Sequence, residues 1–450
     1  MSIRHALPAT LALTGAALLW APGRSEAYAV FGDTLDLAQR DYRIFNNFSD
    51  PEANDNQVPD ADYPGSYGAE LAIRKGVAEW SSVVRGSGRT DPTQEAIGSG
   101  ASNFDSFFSG PSLGPGKKSS NVIGELYGSS FVYAFTEIPI RDGWRIRFYS
   151  EPHIWNDGPD DYLQGGADAV DIQGVAAHEY GHALGLDHST DPTATMYSSL
   201  LEDGVPQRSI EADDIAGVQF LYGTLDQDKP IITGYELVPG GVVIRGKNFH
   251  GKNNEVWFTH SQPVTGDDGT PIKVSGVAST DGRKALHVAV PQGAGQGEVM
   301  IRVPGSSFSD LSNAFPFDPD REHLPAPRVY GPSKQTSGGS IPILAWESLP
   351  SARVGTFLMS IEGAMASKTA VLVSGSQRSN KTFAGGKVLI GGDVRREQVF
   401  TTSFIGTAEM VIPVYPSQVG VTRYYQLWFE DPGDPQGIGL SNGVEITYQY

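Results

Sequence analysis

Residues 178–188, which read HEYGHALGLDH, limit the fold of this chain more than any other stretch. An α-helix advances about 100° per residue, so His178 and His182 lie one above the other with Glu179 beside them. Two imidazoles therefore converge on one point at the helix surface. Zinc binds neutral imidazole nitrogen, and a catalytic zinc site uses three protein ligands and leaves the fourth position for water.

The third predicted ligand is His188, which follows a glycine at the end of the helix. Gly185 can adopt the left-handed conformation that ends a helix, and the resulting turn brings His188 back towards the first two histidines. Ordinary structural histidines are the alternative, but three of the nine histidines fall in this window at ligand spacing. The opposite helix face is apolar and is predicted to face the core: Ile172, Ala176, Tyr180, Ala183 and Leu184.

The spacing H-E-x-x-H-x-x-G-x-x-H resembles the metzincin signature, and the residues around it resemble the matrixin branch, the family of the matrix metalloproteinases. Residues 195–197 are similar to the family's Met-turn, and residues 213–223 are similar to its closing helix. The resemblance implies that Met196 is an apolar support beneath the metal and that Tyr197 belongs to the pocket wall. It also implies an α+β catalytic domain over residues 28–225, with a twisted mixed sheet and three main helices.

The chemistry that the resemblance implies is zinc-dependent cleavage of a protein or peptide substrate. His178, His182 and His188 would hold one catalytic zinc ion, and Glu179 would act as general base towards the zinc-activated water. A non-catalytic extracellular binding or adhesion protein on the same scaffold is the alternative. Such a protein would be free to lose one of these four residues, and all four are present. A zinc hydrolase that acts on a non-peptide bond is a third, narrower alternative.

The sequence departs from the matrix metalloproteinases in two respects. It contains no cysteine, so the cysteine switch of many matrixin zymogens is missing and any latency works differently. Only residues 127–130 stand where the family carries a long loop with a structural zinc, and with His153 alone nearby we expect no second zinc site. The acidic residues Asp157, Asp160 and Asp161 could bind Ca²⁺, although acidic loops are more often simply solvated.

Residues 1–27 have the pattern of a secretory signal peptide. Arg4 and His5 precede an apolar run at residues 11–20, and residues 25–27 form a small-x-small cleavage site. The run is too short to span a bilayer. We therefore expect a secreted, extracellular protein without membrane insertion. Its net charge of −19 argues against nucleic acid or an anionic membrane as the main partner.

The residues before the motif predict a sheet and one helix. Residues 42–45 read as a strand, and apolar residues spaced by four, three and four predict an amphipathic helix over residues 69–84. Residues 86–120 carry little periodic signal and are predicted as loop with at most one short strand. Two further strands are predicted at residues 131–138 and 144–149. The apolar positions of the helix are Ile73, Val77, Trp80 and Val84.

By the same resemblance, the strand at residues 131–138 is the edge of the sheet above the catalytic helix. An edge strand has unpaired N–H and C=O groups, so an extended peptide can add to it as another strand. An ordinary edge, blunted by Pro139, is the alternative. Residues 198–209 are predicted to close the pocket. Asp171 is predicted as the N-cap of the catalytic helix.

Asp213 and Asp214 begin the last predicted helix, where carboxylates favour the positive end of the helix dipole. The resemblance implies that one of them braces the Met-turn. Residues 226–229 read as a short polar linker, after which the composition changes to short alternating strands.

Two all-β sandwich domains are predicted after the linker. Residues 229–318 resemble an IPT/TIG immunoglobulin-like module, and residues 325–450 form a second sandwich of no assigned family. The aromatic strand at residues 424–429 could be a carbohydrate platform, but burial on both faces is the preferred reading. The two domains could contact a cell surface or matrix, or only space the protease.

Overall fold

A computed structural model describes most of the chain. The described residues are 27–36, 41–60, 62–81, 102–138, 143–158, 169–200, 202–265, 270–321, 327–347, 350, 352 and 355–448. Several predictions lie outside them: the signal segment before Ala27, the helix position Val84, and the acidic residues Asp160 and Asp161. Within the described part of the chain, no helix is long and apolar enough to cross a membrane.

The N-terminal part of the chain combines three helices with a five-stranded sheet. Its elements are β1 (Ala29–Val30), β2 (Asp41–Phe45), α1 (Gly68–Ala78), β3 (Phe107–Pro111), β4 (Val122–Ser129), β5 (Ala134–Glu137), β6 (Arg145–Glu151), β7 (Ile154–Asn156), β8 (Ala169–Asp171), α2 (Ile172–Leu184), β9 (Leu186–Asp187) and α3 (Ala212–Tyr222). The sheet order is β3-β2-β4-β6-β5, and only β5 is antiparallel to its neighbour.

Three local predictions need correction. The strand predicted at residues 131–138 begins only at Ala134, because the chain bends at the preceding residues and the Phe131 ring is fully exposed. The helix predicted over residues 69–84 ends at Ala78. The central strand β4 was not predicted, because two glycines interrupt its apolar pattern.

Helices α1 and α2 pack against each other behind the sheet. Gly76 allows this approach, since a Cβ there would clash with the backbone oxygen of Gln173. Trp80, fully buried after α1, donates its indole N–H to the backbone oxygen of Ala177 at 2.8 Å. This contact reaches the residue next to His178, so α1 supports the helix that carries His178 and His182.

The next part, residues 231–318, is called the first β unit below. Its strands are β10 (Ile231–Val238), β11 (Gly241–Lys247), β12 (Asn254–His260), β13 (Ile272–Val277), β14 (Ser279–Thr280), β15 (Ala285–Val288), β16 (Ala294–Arg302) and β17 (Phe315–Phe317). They form two antiparallel sheets, β10-β11-β15-β14 and β13-β12-β16-β17. One hydrophobic cluster draws side chains from both sheets.

The last part, residues 328–448, is called the second β unit. Its strands are β18 (Arg328–Tyr330), β19 (Ile343–Trp346), β20 (Thr356–Glu362), β21 (Thr369–Gly375), β22 (Gln377–Phe383), β23 (Gly386–Gly391), β24 (Arg395–Thr401), β25 (Ala408–Pro413), β26 (Thr422–Glu430) and β27 (Ile438–Thr447). Sheets β18-β27-β26-β21-β24 and β19-β20-β25 enclose one cluster, and β22 and β23 pair as a hairpin.

One face of the aromatic strand β26 is buried, and the other face is partly covered. Tyr425, Leu427 and Phe429 point into the cluster between the two sheets. On the other face, the ring of Phe383 from the hairpin stacks on Trp428 with centroids 5.6 Å apart. Burial therefore accounts for these aromatics better than a carbohydrate platform does.

Candidate active site

Helix α2 has the two ends that its sequence predicts. At its start, the Asp171 carboxylate accepts a hydrogen bond from the Gly174 N–H at 2.7 Å. At its end, Gly185 has φ of 106°, and a Cβ there would clash with the backbone oxygen of Asp33. Sequence reasoning did not find Arg208, whose guanidinium pairs with Asp171 at 2.6 Å where both side chains are fully buried.

The three histidines of the motif come together at the end of α2. One nitrogen from each of His178, His182 and His188 lies within 4.8 Å of the others. The Nδ1 of His178 donates to the Thr195 backbone oxygen at 2.7 Å, and that of His182 to the Leu186 oxygen at 2.9 Å. Because these bonds fix the proton on Nδ1, the Nε2 atoms of both rings are left as electron-pair donors.

The electrostatics of the cluster favour neutral rings. Burial lowers the pKa of His178 to about 3, with a further contribution from the neighbouring His182. Burial also lowers the pKa of His182. Metal ions bind the neutral imidazole, so these histidines need lose no proton to act as ligands near neutral pH. Three imidazoles facing one point are a donor set that suits zinc.

Glu179 lies beside the histidines and is held by the edge strand. The Thr136 hydroxyl of β5 lies 2.8 Å from Glu179 Oε2 and 2.7 Å from the Glu179 backbone oxygen. Burial raises the pKa of Glu179 to about 7, while the bond from Thr136 acts in the opposite direction. Sequence reasoning missed Thr136, because only the position of β5 over α2 brings the two side chains together.

Met196 lies in the turn that follows His188. Its side chain is almost fully buried and packs against Gly181 of α2, where a Cβ would clash with its sulfur. The Asp214 carboxylate accepts hydrogen bonds from the backbone N–H groups of Thr195 at 2.8 Å and Met196 at 3.1 Å. The prediction that one of two neighbouring acids braces this turn is thus confirmed for Asp214.

Asp213, the other acid, does more than favour the start of α3. Its carboxylate accepts the Ser189 hydroxyl at 2.6 Å and the backbone N–H groups of Ala27 and Tyr28 at 3.0 Å each. Asp213 therefore ties the first described residues of the chain to the segment that follows His188.

A cleft of about 700 Å³ runs between β5 and α2, over the histidine cluster. Tyr197 and residues 198–200 line it, in agreement with their predicted place in the pocket wall. Phe31 also lines the cleft and lies against His182, with ring centroids 5.8 Å apart. The cleft thus joins an apolar wall to the histidine cluster and to Glu179.

The acidic stretch considered for calcium differs from its prediction. Asp157 is buried instead of solvated, and its Oδ2 accepts the Asn56 N–H at 3.0 Å. Burial is the main cause that raises its pKa to about 7. Among the described residues, Asp157 belongs to no group of three or more side chains that could hold a metal ion, so calcium binding here has no support.

Comparison with known proteins agrees with this geometry. The matrixin family model matches residues 124–223. The chain contains a matrixin-type metalloprotease domain. Rat (Rattus norvegicus) matrilysin is 40% identical over 96 residues, which cover 21% of this chain and 33% of the rat protein. Rabbit (Oryctolagus cuniculus) macrophage metalloelastase is 49% identical over 57 residues, which cover 13% of this chain and 12% of the rabbit protein.

A plant protein matches the matrixin-type domain as well. Metalloendoproteinase 1-MMP of Arabidopsis thaliana is 48% identical over 65 residues, 14% of this chain and 18% of the plant protein. The chain thus spans a third or less of the length of each of these three relatives. The similarity concerns the matrixin-type domain and does not extend to the whole proteins.

Proposed function

We propose that this protein is a secreted, zinc-dependent endopeptidase. The observation that carries the proposal is the convergence of His178, His182 and His188 beside the buried carboxyl of Glu179. In this proposal the three histidines hold one zinc ion. When bound, zinc supplies Lewis-acid chemistry that polarises a water molecule and the scissile carbonyl.

The remaining chemistry belongs to the chain's own residues. Glu179 acts as general base and later as general acid, accepting a proton from water and passing it to the leaving amine. Because Thr136 engages Oε2, we assign the proton transfer to Oε1. A carboxyl that burial has made more basic is a better proton acceptor than an exposed glutamate.

Substrate binding is assigned to the cleft beside β5. This strand is at the edge of its sheet, so its outward backbone groups can pair with an extended peptide in the cleft. A peptide held along its backbone can be cut within the chain, which is why we propose endopeptidase action. Tyr197 and Leu200 form the apolar wall that a substrate side chain contacts.

We further propose the domain division predicted from the sequence. The catalytic unit spans residues 28–225, and β sandwiches follow at residues 229–318, of the IPT/TIG type, and 325–450. Support for the sandwiches comes from the single hydrophobic cluster between two sheets in each β unit. Export through residues 1–27, and contact of the β domains with a cell surface or matrix, stay predictions.

The test is digestion of an unfolded protein by the purified full chain, with and without a chelator. Wild type is expected to cleave it, and both the chelator and Glu179→Ala are expected to abolish cleavage while Glu179→Ala still binds zinc. Equal cleavage by Glu179→Ala and wild type would overturn the enzyme proposal. Zinc binding without cleavage by wild type would favour the non-catalytic binding protein.

A further inference from the structure

The five-stranded sheet has a second edge, β3, on the side away from the cleft. An uncovered edge leaves backbone groups that invite pairing with other chains. In β3 the outward groups of Phe108 are taken by side chains of the first β unit: its N–H donates to Glu298 Oε2 at 2.9 Å, and its C=O accepts from the Thr259 hydroxyl at 2.6 Å. Two side chains thus take the place of a neighbouring strand.

The backbone continues this contact just beyond β3. The Leu113 N–H donates to the Val264 oxygen at 2.8 Å, and the Val264 N–H donates to the Pro111 oxygen at 3.2 Å. Successive backbone groups of β3 and of the residues after it are therefore hydrogen-bonded to the first β unit. Two loosely associated domains would not need such a continuous set of bonds.

Buried charges are shared between the two parts of the chain. Arg74 of α1 pairs with Glu298 of β16 at 3.2 Å, and Lys229 pairs with Asp105 at 2.8 Å. All four side chains are at most 6% exposed. A buried charge without its partner destabilises the folded protein. Removing one member of either pair would therefore leave the other buried and unpaired. Lys229, the last residue of the predicted linker, is part of this buried contact.

Apolar contact accompanies the charges. Phe107 of β3 meets Trp257 of β12 edge to face, with ring centroids 5.7 Å apart, in a cluster that also contains Met300, Leu311 and Ala314. This cluster excludes water around the capped edge, which strengthens the polar contacts beside it.

The contact is connected to the catalytic helix through α1. Arg74 lies on the same helix as Gly76, where the backbone of α1 comes close to that of α2. The first β unit therefore lies behind the catalytic unit, against the edge opposite to β5. From this position the first β unit can support the sheet of the catalytic unit, but it lies on the side away from the cleft and is not placed to contact a bound peptide.

We propose that the first β unit is a permanently docked structural partner of the catalytic unit: it caps the β3 edge and neutralises Arg74, and it does not act as a separate substrate-binding module. The inference concerns how the two parts stay together, so its test does not depend on peptidase activity.

The experiment uses the full chain with a site for a specific protease inserted between Gln227 and Asp228. After cleavage, the two fragments are run together on a sizing column in native buffer with 1 M salt. The expected result is one peak at the mass of the uncut chain. Separation of the fragments under these conditions would overturn the proposal, because covalent linkage alone would then hold the parts together.

A matched pair of variants tests the buried ion pair. Glu298→Gln keeps the shape of the side chain but removes the ion-pair partner of Arg74. In the cut protein, this variant is expected to let the fragments separate at a lower urea concentration. Glu236→Gln removes the exposed partner of Arg245 in the same β unit and serves as the control. Separation of both variants at the urea concentration of the wild type would contradict the role of the pair.

Discussion

We expect the hydroxyl of Thr136, on the edge strand β5, to lower the pKa of Glu179. The substitution Thr136→Val tests this expectation. Valine keeps the shape of threonine and removes the hydroxyl that lies 2.8 Å from Oε2. A hydrogen bond to a charged group contributes roughly 1.5–3 kcal/mol, which corresponds to about one to two pKa units. Since the bond favours the ionised carboxylate, its loss raises the pKa of Glu179.

The assay is the pH dependence of kcat/KM on a fluorogenic peptide, with zinc content measured in parallel. The acidic limb of the profile is expected to move to higher pH by about one unit in Thr136→Val, the lower end of that range, because the bond is only partly buried. Thr136→Ser keeps the hydroxyl and is the control. A Thr136→Val profile that overlays the wild type, or a Thr136→Ser profile shifted as far as that of Thr136→Val, would refute the reasoning.

Three further substitutions test the supports of the site. Arg208→Met leaves the buried Asp171 carboxylate without its cationic partner. In urea denaturation, the free energy of unfolding is expected to fall by about 3–5 kcal/mol, and a loss under about 1 kcal/mol would contradict this expectation. Gly185→Ala forces alanine into left-handed backbone against Asp33 and should cost about 1–3 kcal/mol and weaken zinc binding, whereas unchanged zinc affinity would speak against the predicted turn. Burial raises the pKa of Asp41 to about 6 from 3.8, so the folded state binds this proton more tightly and loses stability as pH rises between those values. Asp41→Asn should therefore gain about 2 kcal/mol relative to wild type between pH 4 and 7, and a constant difference would contradict the assignment.

The sequence predicts helix α2 well because the signals are local. The helix has an acidic N-cap, an apolar face and a glycine at its C-terminal end, and each of these signals is short-range. Helix α2 shows all three of them. For the turn at Met196, the sequence predicts only that one of two neighbouring acids, Asp213 or Asp214, braces it. The choice between them depends on which carboxylate meets the Met196 N–H, and spacing alone does not decide that.

The residues that sequence reasoning missed act across long separations. Thr136 meets Glu179 only because β5 lies over α2, and Arg208 reaches Asp171 from a segment 37 residues away. Glu298 is farther still from Arg74, at a separation of 224 residues. Such pairs depend on strand order and domain docking, which one sequence without aligned relatives does not reveal.

Metal content tests the central claim most directly. The full chain and His188→Ala are each equilibrated with zinc, freed of unbound metal and measured by mass spectrometry for zinc per protein. We expect about one zinc per wild-type chain and a strong loss in His188→Ala, because two imidazoles do not complete a three-ligand site. Wild-type protein without zinc, or His188→Ala that retains a full equivalent, would contradict the account.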